Sequence, residues 1–219
     1  MKATHHHIVQ DVYEWAGQER VGPATRMTKD GPDVVNFAVG DPAAPTVAYG
    51  YYPGPGVAAA AENQYRLLAR ESHLVRLPRA QFVGRLAEHW GELNTIHCFR
   101  EGNTRAQFVF FSQLAENAGY RLDSAQFAMG APLREEFVGA RFHNQATASA
   151  DRLAAVLDRA LIPIAGAAPS ARARLAFELA RTQSAEPPSA AVRRVPTSDR
   201  PRARRGGSPT VGRSYGIEG

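Results

Sequence analysis

The chain has 219 residues, 44% of them hydrophobic and 21% charged, which suits one soluble domain with or without a tail and excludes collagen, a fully disordered chain and a membrane bundle. No run approaches the roughly 20 apolar residues of a bilayer span, the first ten residues lack the apolar stretch of a signal peptide, and the lone Cys98 excludes an internal disulfide or a multi-cysteine zinc site, so a cytoplasmic protein is expected. The net charge of +5 suggests nucleic acid at first, but residues 183–219 hold seven arginines against three acids, leaving about +1 for residues 1–182.

In chain order, Ile8, Val9, Val12, Trp15 and Ala16 have helical spacing, which predicts a helix from Lys2 to Ala16 ended by Gly17. His5, His6 and His7 read as the native start of that helix, against a metal tract or a short tag. Residues 20–56 carry six prolines with glycines between them. They predict a long ordered loop with a hairpin in it, its short strands at Val34–Phe37 and at Thr46–Tyr49. From Val57 the pattern is helical: Val57–Arg70, then Arg79–Thr95 opened by Pro78, then Asn103–Ala118. The last of these is apolar nearly all round, so it is expected to be the core helix. Leu133–Ala146, Ala150–Leu161 and Ser170–Arg181 follow. The expectation is an all-α helical bundle with one irregular loop or β-hairpin, spanning residues 1–182. Residues 183–219 hold five prolines, five glycines and five serines and read as a disordered basic tail. Its arginines offer nonspecific contact to polyanions, but no specific nucleic acid and no membrane is expected as partner.

The chemistry is concentrated in Ile96-His97-Cys98-Phe99-Arg100-Glu101-Gly102-Asn103-Thr104-Arg105. His97 ends one helix and can accept a proton near neutral pH. The next helix opens six residues later, and its free N–H groups and dipole make an anion site. Gly102 lets the backbone approach a ligand, Asn103 offers an amide, and Arg105 offers a forked cation for phosphate. Glu101 is a hard carboxylate suited to magnesium shared with phosphate oxygens. A base, a metal ligand and an anion cradle within nine residues point to phosphoryl or nucleotidyl transfer.

The run His97-x-Phe99-x-Glu101-Gly102-Asn103-x-Arg105 resembles the Fic family signature HxFx(D/E)GNxR, and Asp11-Val12-Tyr13-Glu14-Trp15-Ala16-Gly17 resembles that family's opening. The likeness covers about residues 5–162. It implies an all-α Fic fold with a flap in residues 20–56, centred on Thr46–Pro53, and a catalytic loop at residues 97–105. It implies a protein adenylyltransferase: His97 deprotonates a Ser, Thr or Tyr hydroxyl on a target protein, and AMP passes to it from ATP. Phe99 would pack the loop on the core and Glu101 would hold Mg2+. Gly102, Asn103 and Thr104 would form the anion hole, and Arg105 would bind phosphate. Tyr49, Tyr51 and Tyr52 are candidates to line the flap or to anchor it. Three positions depart from the common pattern: Cys98 for proline, Thr104 for glycine, and Phe108 for a second arginine that grips the terminal phosphate in many relatives. The last leaves another nucleotide open as co-substrate and motivates a second class of reading, a catalytically silent Fic-fold binding module. A Doc-like phosphotransferase is the alternative chemistry, but its loop has Ala and Lys where Gly102 and Thr104 stand.

In many family members an (S/T)xxxE(G/N) helix, within the chain or in a small antitoxin, blocks the nucleotide site. Ser112–Asn117 matches inside a core helix and reads as coincidence. Ser214–Gly219 matches at the C-terminus, where Gly216 disfavours a helix by about 1 kcal/mol. With no room for an inhibitory helix before Met1, a separate antitoxin, or none, is expected, as for the toxin of a toxin–antitoxin pair. His89 reads as a satisfied core histidine.

Overall fold

The computed structural model describes residues 1–165 and, as backbone alone, Arg204–Arg205. Six α-helices dominate, with short strands between them: α1 Lys2–Val9, β1 Thr28–Pro32, β2 Thr46–Gly50, α2 Gly54–Arg70, α3 Arg79–Ile96, α4 Asn103–Asn117, β3 Tyr120–Leu122, α5 Arg134–Thr147, α6 Asp151–Ala160, β4 Leu161–Pro163 and β5 Arg204–Arg205. The predicted all-α fold class holds. The Ser170–Arg181 helix and most of the 183–219 tail lie outside the described residues.

The centre of the bundle is α3. Its stripe Phe82, Leu86, Trp90 and Leu93 repeats at helical spacing and is at most 1% exposed. Trp90 stacks on Phe111 of α4 at 4.5 Å between ring centroids and meets Phe137 of α5 edge-on at 5.5 Å. Eleven α3 residues are buried against six in α4, so α3, not the expected 103–118 helix, is the core helix. The difference is one of environment: Val109 of α4 is exposed, while α3 is covered by α2, α4, α5 and α6. Truncating Trp90 to alanine would cost about 3–5 kcal/mol by the usual cavity rule. His89 is satisfied as expected: Nδ1 meets the Gln64 amide at 2.7 Å and Nε2 meets Glu71 at 3.2 Å, while Glu71 also pairs with Arg85.

Pro78 and Pro53 stand at the N-caps of α3 and α2, where a missing N–H costs nothing. The first helix stops at Val9, short of the expected Ala16. Residues 10–17 instead fold into turns closed by Tyr13 N–H on Val9 O and Ala16 N–H on Tyr13 O, ending at Gly17 with φ +79°. This brings Trp15 back against His5.

The hairpin exists, with the expected strand at Thr46–Tyr49 present as β2 but with β1, not residues 34–37, as its partner. β1 pairs antiparallel with β2 from Thr28↔Gly50 to Pro32↔Thr46. Residues 34–37, expected as a strand, form a turn: the Asp33 carboxylate accepts from the Val35 and Asn36 N–H groups and from the Asn36 amide. The hairpin is pinned to α5 by Tyr49, which stacks on Phe142 at 4.4 Å. The backbone of Arg204–Arg205 adds antiparallel to β2, opposite Ala48 and Val47. On the far side, β4 returns antiparallel to β3.

Candidate active site

Six residues, 97–102, connect α3 to α4, and two of them turn left-handed. His97 caps α3 with φ 53° and ψ 65°, and Gly102 precedes α4 with φ 72° and ψ 8°. Gly102 is required by that φ rather than by space, since an added Cβ would meet its nearest neighbours at an ordinary 3.5 Å.

The carbonyls of this segment are consumed one after another. Arg20, 4% exposed, donates to Ile96 O at 3.0 Å and His97 O at 2.6 Å, and also to Tyr52 O at 2.6 Å and Gly22 O at 3.1 Å. Its backbone N–H donates to Cys98 O. The Asn103 amide donates to Phe99 O at 2.7 Å and accepts from Phe99 N–H at 2.9 Å. Glu101 O accepts from His5 at 3.0 Å, and Gly102 O from Ala106 N–H. Gly17 N–H donates to His5 Nδ1, which assigns the proton to Nε2, facing Glu101. The amides at the head of α4 are left over: Asn103, Thr104 and Arg105 N–H have no protein acceptor among the described residues. Acceptors are turned into the protein, and the donors at the head of α4 are left unpaired among the described residues.

Sequence singles out neither Arg20 nor the contact of His5 with the loop, His5 being read there only as part of a helix start. Arg20 is separated from His97 by 77 positions and His5 from Glu101 by 96. The only available signal was a histidine in a helix and an arginine in a proline-rich loop. His5, buried against the Phe99 ring at 3.8 Å, is neither a tag residue nor a metal ligand, while His6 and His7 are exposed.

His97 packs its ring 4.3 Å from that of Tyr51. Its Nδ1 is sealed and unpartnered. Burial, and then the charges of Arg20, Arg141 and Lys29, hold the imidazole down to about 3, so it is neutral near pH 7. Cys98 is buried beside the Tyr65 hydroxyl; burial pushes its thiol up to about 12, so it is no nucleophile.

The structure brings together His97, Glu101, Gly102, Thr104 and Arg105, with Arg105 exposed and Glu101 and Thr104 half-buried. Phe99 is fully buried. The Asn103 side chain is committed to Phe99, so what it can offer an anion is its backbone N–H. Of the three tyrosines, only Tyr51 reaches His97. Tyr49 donates to Pro32 O at 2.6 Å and Tyr52 to Glu92 at 3.0 Å, so both are anchors. Phe108 lies among Trp90, Phe127 and Phe137, in an aromatic cluster. The described residues contain no cluster of three or more His, Cys, Asp or Glu able to hold a metal by themselves. A single carboxylate beside free amides does suit a divalent cation that shares phosphate oxygens.

A model of the Fic/DOC family matches residues 1–115. The chain is 35% identical over 122 residues to the probable protein adenylyltransferase Fic of Escherichia coli, covering 56% of this chain and 51% of that one. It is 35% identical over 123 residues to protein adenylyltransferase VbhT of Bartonella schoenbuchensis, covering 56% of this chain and 22% of that one. The chain therefore spans about half or less of the length of these curated relatives. Its fold is similar to the N-terminal Fic domain of a VirB-translocated Bep effector from Bartonella quintana, solved with ADP: the TM-score is 0.60 at 20% identity, over 75% of this chain and 72% of that one. It is similar as well to BepC from Bartonella tribocorum, solved with AMPPNP, with a TM-score of 0.56 at 20% identity over 74% and 72% of the two chains.

Proposed function

The chain belongs to the Fic/DOC family, and from that premise we propose that it is a protein adenylyltransferase, moving AMP from ATP to a Ser, Thr or Tyr hydroxyl of a target protein. The observation that carries this reading is the sorted loop: a neutral His97 beside three free amides at the head of α4. The amides of Asn103, Thr104 and Arg105 would receive the α-phosphate oxygens, and the Arg105 side chain a further phosphate oxygen. Nδ1 is sealed, so His97 would take the hydroxyl proton at Nε2. The hydroxyl oxygen bonds to the α-phosphorus, the bond from that phosphorus to the bridging oxygen breaks, and pyrophosphate leaves. Glu101 would hold Mg2+, which supplies charge neutralisation on the phosphates. Relatives named protein adenylyltransferases, and Fic structures holding ADP or AMPPNP, support the co-substrate. The flap hairpin would present the target hydroxyl over Tyr51 and His97.

The same reading takes residues 1–182 as the Fic domain and the rest as a basic tail. It places the protein in the cytoplasm, as the toxin half of a pair restrained by a separate antitoxin. No helix among the described residues is long and apolar enough to cross a membrane.

Intact-mass spectrometry of the purified chain after incubation with magnesium and each nucleoside triphosphate, beside a His97→Ala control, tests the chemistry. A gain of one nucleoside monophosphate, lost in the control, supports the transferase and names its nucleotide. A gain of one phosphate points to Doc-like chemistry. If neither purified chain nor cell lysate gains label, the binding-module reading stands instead.

A further inference from the structure

A further cation, Arg141, approaches the end of α3 from an element the signature does not include. Arg141 projects from α5 and donates Nε to Asn94 Oδ1 at 2.9 Å, with Nη2 on the same oxygen. Asn94 lies in the last turn of α3, three residues before its cap His97. One turn beyond Arg141, Gln145 donates to Gly50 O at 2.7 Å, so this face of α5 also meets the end of β2. The next residue, Tyr51, packs on His97. Arg141 therefore stands where α3, α5 and the flap strand converge around the base.

Its hydrogen bonding is incomplete. Arg20, 4% exposed, spreads its guanidinium over four carbonyls, whereas Arg141 is half-buried. Arg141 spends two nitrogens on one neutral amide oxygen, and its Nη1 has no acceptor among the described residues. Its guanidinium lies over the Phe137 ring, 5.4 Å from the centroid. None of the ion pairs among the described residues includes it. Burial pulls its proton affinity below the ordinary arginine value, with Tyr51 the main favourable neighbour, yet a guanidinium stays charged. A half-buried cation with an open donor and no counter-ion is placed to donate a charge-assisted hydrogen bond to an anion.

We propose that Arg141, held by Asn94, is a phosphate-binding residue of this site, contributing a charge-assisted hydrogen bond to the nucleotide from the α5 side while the α4 amides hold it from the other. The assignment rests on the nucleotide reading above. α4 supplies no second cation of its own here, because Phe108 is turned into the aromatic cluster.

The test is isothermal titration of the full chain, with magnesium, using AMPPNP and separately adenosine, which has no phosphate. Arg141→Gln keeps an amide N–H for Asn94 but removes the charge; Arg141→Lys keeps the charge; Arg105→Ala is the control in the loop. Expected is a loss of AMPPNP affinity of about 10- to 100-fold in Arg141→Gln, a smaller loss in Arg141→Lys, and adenosine binding within about twofold of the parent. Unchanged AMPPNP affinity in Arg141→Gln, with Arg105→Ala still impaired, overturns the proposal and leaves the nucleotide reading intact. An equal loss of AMPPNP and adenosine also overturns it, marking Arg141 as a support of the pocket wall. A parent chain that binds neither probe overturns both readings.

Discussion

Replacing Arg20 by methionine isolates the clamp that gathers the loop between α3 and α4. The methionine fills most of the volume but offers no donor. Four carbonyls, those of Gly22, Tyr52, Ile96 and His97, then lose their partner at a site that is 4% exposed. A buried acceptor left unmade costs about 1–3 kcal/mol. Taking the low end for each, because a carbonyl keeps a second lone pair and the flap end can relax, gives about 4 kcal/mol. Domains of this size are stable by about 5–15 kcal/mol, so the variant should fold but weakly. Urea unfolding of parent and Arg20→Met at neutral pH reads the difference. Arg20→Lys should recover less than half, since one compact ammonium cannot span four acceptors. A loss below about 1 kcal/mol in Arg20→Met would refute the reasoning, because it would mean that water reaches those carbonyls.

Other outcomes follow from the same geometry. His97, with its Nδ1 sealed, stays neutral down to about 3, whereas in the unfolded chain it protonates near 6.5, so the stability present above 6.5 falls as pH drops through that window. His97→Gln removes this slope, and between pH 7 and 5 the variant should lose about 2 kcal/mol less than the parent in urea unfolding. His5→Phe keeps a ring against Phe99 but strands Gly17 N–H and Glu101 O; thermal melting should show a loss of about 1–3 kcal/mol. Gly102→Ala meets no clash but must hold φ at 72°, for about 1–2 kcal/mol and a matching fall in melting temperature. Cys98 should resist iodoacetamide in the native protein and react once urea exposes it, as mass spectrometry would show.

What sequence made legible was local. The loop residues are contiguous, α3 and α4 are bounded by Pro78 and Gly102, and the 3.6-residue period of Phe82, Leu86, Trp90 and Leu93 marks a buried face. What it missed was set by distant partners. β1 is Thr-Lys-Asp-Gly-Pro, with no alternating apolar residues; it is a strand because β2 pairs with it. Val34–Phe37 has strand-like residues, but the Asp33 carboxylate turns the backbone first. The helix expected to Ala16 ends early because the packing of Trp15 and Gly17 on His5 outweighs the local period. The support of the His97–Gly102 loop by His5, Arg20 and Asn103 rests largely on backbone carbonyls, which no residue letter advertises.

The inward carbonyls have a kinetic consequence. Turning any one of the peptides that carry Ile96, His97, Phe99 or Glu101 would break a contact to Arg20, Asn103 or His5. The loop thus resists peptide flips, and its dipoles are oriented before a ligand arrives. Under the proposed transfer, the reorganisation that water would undergo around a developing phosphoryl charge would be completed during folding, not at the moment of bond making.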